Sequence, residues 1–449
     1  MPDFAPKLLL AMLVILLSSC TSLKDKGDKS FESGLFKEAA DYYLQALKKN
    51  PDDIDARLGL ERARYKVIDQ TLIDVRMLRL ANNQYEAALK LEEVYQNQKA
   101  WGVTAKGAVA YTLKEEFNYA RPWLDEQLKN IYSLGNVDRY LWFAYSLKNL
   151  LTVGGLNKQV DGYKQKLTPT ALRTCQTLKQ NLKSQSFEFY RLAKSYCNYW
   201  GDSVNFKLDK IDKDRFKQVR FSNRVRYEGR QSREKSYLLD NHLSDFQNRF
   251  QQSIWYSSAG RTLVVDIDGR LNYRRTIHEH KQSKDYQIKR REESGQKGTA
   301  DYKAETIVED KVHYYTVQKK YEKIVSNFNF STLLHGNQLV QNIGFEEEHH
   351  SVGHSERHKP SGLKPQKHTS MNLERIFQRR FAAKLDQFYY KLEREWQARY
   401  CKSNAYETFQ IEESIIRCAL IEPDNTGVDN WFENKFGIKY REFRRIYGL

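Results

Sequence analysis

The stretch GLFKEAADYYLQALKKNP, residues 34–51, decides how the N-terminal part of this 449-residue chain folds. Ala39 and Ala46 stand seven residues apart, so their small side chains lie on the same face of a helix. Pro51 ends that helix because proline has no backbone N–H to donate. A small residue upstream, Gly27, lets a preceding helix pack closely against this face. The stretch therefore predicts a helix–turn–helix unit.

This pattern resembles the tetratricopeptide repeat, a helix–turn–helix unit of about 34 residues. Seven positions carry the resemblance: Gly27, Gly34, Phe36, Ala39, Tyr43, Ala46 and Pro51. Leu23 stands where the repeat usually has tryptophan, and weaker copies follow at 83–88 and 115–120. The resemblance implies that residues 20–201 form an α-solenoid of about five helix pairs, whose concave side commonly binds peptides or partner helices.

A short apolar run precedes the repeats. LLLAMLVILL (residues 8–17) follows Lys7 and leads into Leu17-Ser18-Ser19-Cys20. The run has about half the length that a bilayer core of roughly 30 Å requires, which argues against a spanning helix. Residues 17–20 resemble the lipobox of bacterial lipoproteins. The resemblance implies that residues 1–19 are a signal peptide and that the Cys20 thiol carries the lipid, with palmitate among its acyl chains. The alternative is an ordinary cleaved signal with a chance cysteine.

The lipoprotein resemblance also implies a location. Two or more acyl chains hold a protein on a membrane almost permanently. Residue 21 is Thr rather than Asp, and by the enterobacterial sorting rule this implies the outer membrane, facing the periplasm. An exported chain folds in an oxidising compartment, where disulfides form. Its four remaining cysteines are expected to pair locally, Cys175 with Cys197 and Cys401 with Cys418, although free buried thiols are the alternative.

The net charge of +17 favours anionic partners. In an exported lipoprotein these are phospholipid headgroups, cell-wall carboxylates or an acidic protein surface rather than nucleic acid. Solvated charge without a specific partner is equally compatible. The basic stretch 207–235 is interleaved with aromatic residues, which fits either a strip that binds polyanions or the solvated face of a sheet.

Residues 202–350 alternate polar and apolar side chains, which predicts an antiparallel β domain. Asp268-Gly269 is expected to form one hairpin turn and residues 335–337 a second. The polar stretch 281–304 is expected to be a long mobile loop.

Residues 351–370 are expected to form a His-rich linker. His350, His354 and His358 repeat every four residues, which on a helix would stack imidazoles for a metal ion. Glycine and proline nearby favour a loop, so no metal is predicted. Residues 371–449 form the last predicted region, which is helical, and an apolar stripe on its first helix is expected to pack on the same chain: Leu373, Phe377, Phe381, Leu385, Phe388, Leu392 and Trp396.

The sequence thus predicts an α+β protein without a catalytic motif or a cofactor. The leading hypothesis is a non-catalytic, membrane-anchored scaffold that binds another protein of the cell envelope through its helical repeats. The alternative is a module that binds the cell wall or an anionic lipid surface through the basic β domain.

Overall fold

The computed structural model describes residues 22–294, 297, 303–402 and 411–449. These residues form two compact units. The described part of the first comprises 22–182, 190–205 and 423–449, and the second lies within 183–189 and 206–422. The predicted signal peptide and Cys20 lie outside the described residues. Among the helices of the described part, none is both long and apolar enough to cross a membrane.

The chain is helical from residue 23 to residue 199. The helices are α1 (Leu23–Glu32), α2 (Phe36–Lys49), α3 (Ile54–Leu80), α4 (Gln84–Trp101), α5 (Gly107–Ser133), α6 (Val137–Ser146), α7 (Lys148–Val153), α8 (Asn157–Gln180) and α9 (Phe187–Tyr199). The N-terminal part of the prediction, a helical region, is confirmed.

The second unit contains the sheet and the helices that cover it. Its elements are β1 (Asp212–Tyr227), α10 (Arg230–Glu234), α11 (Tyr237–Gln251), β2 (Gly260–Ser294), β3 (Lys303–Leu334), β4 (Asn337–Gly353), α12 (Leu373–Tyr400) and α13 (Ile411–Ala419). Two further helices, α14 (Thr426–Phe436) and α15 (Tyr440–Tyr447), belong to the first unit. This differs from the predicted domains, in which 371–449 formed one region.

The strand order is β1-β2-β3-β4, and the sheet is mixed. β1 runs parallel to β2, whereas β2–β3 and β3–β4 are antiparallel. The prediction of a purely antiparallel domain is therefore wrong. The physical reason is the connection between β1 and β2, which contains α10 and α11, because parallel neighbours require a crossover of this length.

β2 and β3 pair without interruption from Asp266–Ser331 to Ser294–Lys303. The predicted turn at Asp268-Gly269 is wrong, since β2 continues through it. Gly269 lies where β3 approaches closely: a Cβ there would sit 2.1 Å from the Asn327 carbonyl oxygen. A glycine in a strand interior often marks such a close approach. The turn predicted at 335–337 is confirmed, because residues 335 and 336 link β3 to β4.

The predicted loop at 281–304 is also wrong. Residues 281–294 of β2 pair with residues 303–316 of β3, and we call this two-stranded segment the β-arm. Most of its side chains are exposed on both faces. Alternation between polar and apolar residues arises only where one face is buried, so the sequence of the β-arm carries no strand pattern.

The helix α12 packs against one face of the sheet. The ring centroid of Phe381 lies 5.6 Å from that of Phe328, and Phe377 lies 5.2 Å from Phe345. The predicted apolar stripe on α12 is buried along its whole length, as expected. These contacts place the core of the second unit on the helix-covered face of the sheet.

Both predicted disulfides are present. Cys175 and Cys197 join α8 to α9 with a Cα–Cα distance of 5.3 Å. Cys401, which caps the C-terminus of α12, and Cys418 of α13 have a Cα–Cα distance of 5.0 Å. Each bridge therefore ties one helix to the next.

Tyr43 fixes the packing of the first three helices. Its ring lies between Gly27 of α1 and Gly59 of α3, where an added Cβ would approach the ring to 2.7 and 2.6 Å. Its hydroxyl donates to Asp28 Oδ1 at 2.6 Å, and this hydrogen bond lowers the pKa of Asp28. The small residues of the quoted stretch lie in the same buried cluster, formed by Ala39, Ala40, Tyr43, Ala46, Ala56, Leu60 and Ala63.

We predict that Gly59→Ala destabilises the protein by about 1–3 kcal/mol, because the new methyl group overpacks against the Tyr43 ring. Gly162→Ala on α8 is the matched control, since no atom lies within 4 Å of its Cβ position. There, alanine should stabilise the helix by up to about 1 kcal/mol. Urea denaturation followed by circular dichroism measures both changes. Equal effects of the two substitutions would contradict the close packing around Tyr43.

Candidate binding groove

The first unit contains an open cleft of about 800 Å³. Its walls come from the start of α4, the helices α5 and α6, and the C-terminal helices. We call it the aromatic groove; it is lined by Tyr85, Trp123, Gln127, Ile131, Asn136, Arg139, Trp142, Phe143, Glu433, Gly437, Ile438 and Glu442. Its dimensions lie within the range in which proteins bind peptides and small molecules.

Three rings from three different helices form the floor of the aromatic groove. The centroid of Phe143 lies 6.5 Å from that of Tyr85 and 6.1 Å from that of Trp123. Phe143 is buried, whereas 36% of Tyr85 is exposed. The rim is charged, with Arg139 on α6 and Glu433 and Glu442 on the C-terminal helices. This combination suits a ligand that presents apolar side chains and carries polar groups of both signs.

A second cleft, of about 230 Å³, shares Trp123 with the aromatic groove. Its wall contains an ion-pair network centred on a buried carboxylate. Glu116 on α5 accepts hydrogen bonds from Arg79 at 2.7 Å and from Arg76 at 2.9 Å, both on α3. Burial alone would raise the pKa of Glu116, but the bonds from the two arginines hold it below its usual value. The carboxylate therefore stays ionised and locks α3 to α5.

Glu92 fixes the short helix α7 beside the aromatic groove. Its carboxylate, only 2% exposed, accepts hydrogen bonds from the backbone N–H groups of Asn149 and Leu150 at 3.1 and 2.8 Å. The Asn149 side chain donates a third bond, at 2.7 Å. Helix α7 has no side-chain cap of its own. The carboxylate on α4 thus caps α7, and through it positions α6, which ends at the neighbouring residue.

The C-terminal helices form the remaining wall. Gly437 has φ +73°, and a Cβ there would lie 2.0 Å from the Asn136 amide nitrogen, so only glycine fits between α14 and α6. The Tyr447 hydroxyl donates to the buried Asp138 carboxyl on α6. The Tyr447 ring also packs on Tyr196, at 4.9 Å between centroids. Residues near the end of the chain are therefore integral to this site.

The predicted repeat positions lie in one region, apart from the aromatic groove. Gly27, Ala39, Tyr43 and Ala46 are buried in the first helical cluster. Of the other three, Gly34 forms the turn with φ +75°, Phe36 begins α2, and Pro51 lies exposed after it. The predicted lipid-bearing Cys20 is outside the described residues.

Ring contacts join the His-rich segment to β3. The centroids of His350 and His354 lie 4.7 and 4.8 Å from those of Tyr321 and Tyr315 on β3. His358 stacks on His313 at 3.9 Å. Two bridges, His354–Gln366 and His358–Leu363, fold residues 354–366 into a short hairpin. The expected linker is therefore a strand end followed by this hairpin.

One group among the described residues has the ligand types and spacing of a metal site: Cys401, Cys418 and Glu422. The two cysteines form a disulfide, and a metal ion requires thiolates. The group is thus structural.

A buried network of charges lies inside the second unit. The Arg417 guanidinium contacts Glu413 Oε1 at 2.7 Å and Asp212 Oδ1 at 3.1 Å. Glu413 also accepts hydrogen bonds from the backbone N–H groups of Glu188 and Phe189, at 3.0 and 2.8 Å. His335 lies at its edge, 3.5 Å from Asp214, and burial lowers its pKa to about 4. Because Arg417 and Glu413 are enclosed, we assign the network a structural role.

Compared with protein-family models, with curated proteins and with solved structures, the chain matches none.

The aromatic groove was missed at the sequence level. Tyr85 lies within a weak repeat copy, and Trp142 and Phe143 lie in an apolar helical run, so all three look like ordinary packing residues. The available signal was their density: Tyr140-Leu-Trp-Phe-Ala-Tyr145 places four aromatic residues on less than two helical turns. One helix cannot bury rings on all sides unless it is enclosed, so some must line a surface.

We predict that stability depends on the protonation of Asp138. Burial raises its pKa from 3.8 to about 7. Between these values the carboxyl is protonated in the folded state and ionised in the unfolded chain, so the free energy of unfolding falls as pH rises. Asp138→Asn should remove a decrease of roughly 3 kcal/mol between pH 5 and pH 8. Urea denaturation at both pH values measures it; an unchanged pH dependence in the variant would contradict the prediction.

Proposed function

We propose that this protein is a non-catalytic, lipid-anchored scaffold of the bacterial cell envelope, and that it holds a segment of a partner protein in the aromatic groove. The observation that carries the proposal is the floor of three rings from α4, α5 and α6. Apolar anchors in a groove between helices are a recurring way to bind a helical or extended peptide. Aromatic side chains also contribute most of the energy at many interfaces.

The residues of the aromatic groove define the chemistry of the partner segment. Tyr85, Trp123 and Phe143 accept apolar side chains. Arg139 on one wall and the carboxylates of Glu433 and Glu442 on the other accept groups of opposite sign. An amphipathic segment with apolar anchors and charges of both signs meets these requirements. The buried Glu116 and Glu92 contacts keep the walls in place before binding, which reduces the entropy cost of association.

Two further observations support the cellular setting. The lipobox-like residues 17–20 indicate export and lipid attachment at Cys20. The proposed location is the outer membrane, with the protein facing the periplasm. The two disulfides fit an oxidising compartment. The tetratricopeptide-like pattern of the first helices is supported by the small residues packed around Tyr43, and it extends the proposal to a helical scaffold of related repeats.

The groove proposal is tested by photo-crosslinking in cells. A benzophenone amino acid at Gln127 or Arg139, both lining the aromatic groove, should capture the same small set of envelope proteins. The matched control is Tyr111, which lies on α5 outside both clefts and is 73% exposed. Tyr85→Ser together with Trp142→Ser should reduce the adducts at Gln127 at least tenfold, since each aromatic side chain that lines the groove contributes about 1 kcal/mol or more. Identical adducts from Tyr111, or none from the groove, would overturn the proposal.

The anchor is tested separately. Cys20→Ala should abolish labelling by a radioactive fatty acid and release the protein from the membrane fraction, because the thiol that carries the acyl chains is lost. Fractionation and labelling in the same cells measure both. If the variant stays with the membrane, the anchor lies elsewhere in the chain, and the groove proposal is unaffected.

A further inference from the structure

The sheet of the second unit has one open face, opposite the face covered by α12. Directly paired residues share a face, so the register identifies its members. On β1 and β2 these include five exposed arginines, which we call the arginine face: Arg220, Arg224, Arg226, Arg270 and Arg274. The exposed fractions of the Arg224 and Arg270 side chains are 70% and 62%.

Like charges stand directly opposite each other on this face. Arg226 pairs with Arg270 across β1 and β2, and Arg274 pairs with Lys323 across β2 and β3. Neighbouring strands lie about 5 Å apart, and like charges at that separation destabilise a sheet. Within the described residues, Arg220, Arg226 and Arg274 have no carboxylate within 4.0 Å. An external anion would relieve this repulsion.

Acidic groups accompany the basic ones on both halves of this face. Glu346 and Glu348 on β4 both contact Lys323, at 2.7 and 3.5 Å. On the other half, Asp266 lies 3.9 Å from Arg224 and Glu228 lies 3.9 Å from Arg270, while Asp268 is opposite Arg224 in the register. These three carboxylates are outnumbered by the five arginines. The excess of positive charge is therefore concentrated on β1 and β2. A bound anionic surface would contact that half and not β4.

The geometry distinguishes between anionic partners. The side chains between the arginines are short, such as Ser222 and Asn272, so the guanidinium groups stand above a face that offers no wall around a single small anion. On the open face, the described rows from Asp266 to Arg274 contain no aromatic side chain, and the nearest one on β3 is Tyr321, in the next row. Proteins that bind single-stranded nucleic acid rely on aromatic stacking, which this face does not provide.

We infer that the arginine face docks on an anionic phospholipid surface, with each guanidinium binding headgroup phosphates. Arginine binds phosphate through two parallel N–H donors, which suits a plane of phosphate groups. This inference goes beyond the proposed scaffold function, because it concerns a different unit and a different ligand.

The test uses the chain from Thr21 to Leu449, secreted behind a cleaved signal that adds no lipid, so that acyl chains cannot mask the effect. Sedimentation with vesicles of phosphatidylcholine alone is compared with vesicles that also contain phosphatidylglycerol. The protein should bind only the second type, and binding should weaken as salt rises. The variant R224Q/R226Q/R270Q/R274Q should bind more than about 100-fold more weakly, at about fivefold for each arginine.

The matched control removes four exposed cations of the β-arm, in the variant K281Q/K284Q/K289Q/R290Q. It has the same net charge and should bind nearly as well as the original protein. Equal losses in the two variants would show that net charge alone acts, and would overturn the inference. The inference is also overturned if the original protein does not bind the vesicles that contain phosphatidylglycerol. It is likewise overturned if millimolar inorganic phosphate, at constant ionic strength, releases the bound protein from those vesicles. Circular dichroism melting verifies that both variants fold.

Discussion

Helix N-termini in the interior of a protein leave backbone N–H groups without partners, and buried carboxylates meet that need in this chain. Glu92 supplies acceptors to the first turn of α7, and Glu413 does so for the first turn of α9. Such a carboxylate must give up water, and only several strong hydrogen bonds offset that cost. The contact is therefore specific in position: shifting α7 by one residue would leave both the carboxylate and the N–H groups unpaired. Because α6 and α7 meet at Leu147, this constraint also sets where Phe143 faces Tyr85.

Sequence patterns succeeded where one local rule decided the structure. Small residues seven apart placed Ala39 and Ala46 in one packed cluster, and apolar spacing on α12 identified the buried stripe. The cysteine pairs were local, so their connectivity followed from proximity along the chain. The sequence failed where two rules compete or where partners are distant. Asp268-Gly269 has the residue types of a turn, yet Gly269 allows two strands to approach closely. The β-arm lacks alternation of polar and apolar residues because both of its faces are exposed to solvent. The groove wall depends on a contact between Asp138 and Tyr447, which are 309 residues apart.

The two proposed surfaces bind through different interactions, apolar packing in one and electrostatic attraction in the other. This difference explains why only the charged surface could be identified from the sequence. The basic stretch around β1 is visible in the sequence as a cluster of positive charge, because its arginines need not be buried. The aromatic groove is hidden, because a ring that lines a cleft and a ring that fills a core obey the same helical spacing. Alternation on β1 and β2 separates the arginines from Phe221, Ile267 and Leu271, which face α11 and α12. The same strands thus present the arginine face on one side and contribute to the apolar core on the other.

The parallel pairing of β1 with β2 affects which charges are opposite each other on the arginine face. In a hairpin, a turn determines which residues of two strands are opposite each other. Here the crossover through α10 and α11 leaves the register to packing on the covered face, where Val219 and Phe221 must reach the core. Arg226 is placed opposite Arg270 as a result, and a shift by two residues, which preserves burial, would instead place Arg224 or Glu228 there. In the register with Glu228 opposite Arg270, Arg226 would face Asp268 and Arg224 would face Asp266, which would remove the repulsion. The observed register instead leaves Arg226 opposite Arg270 on the open face, and an anionic partner is the most direct way to neutralise this repulsion.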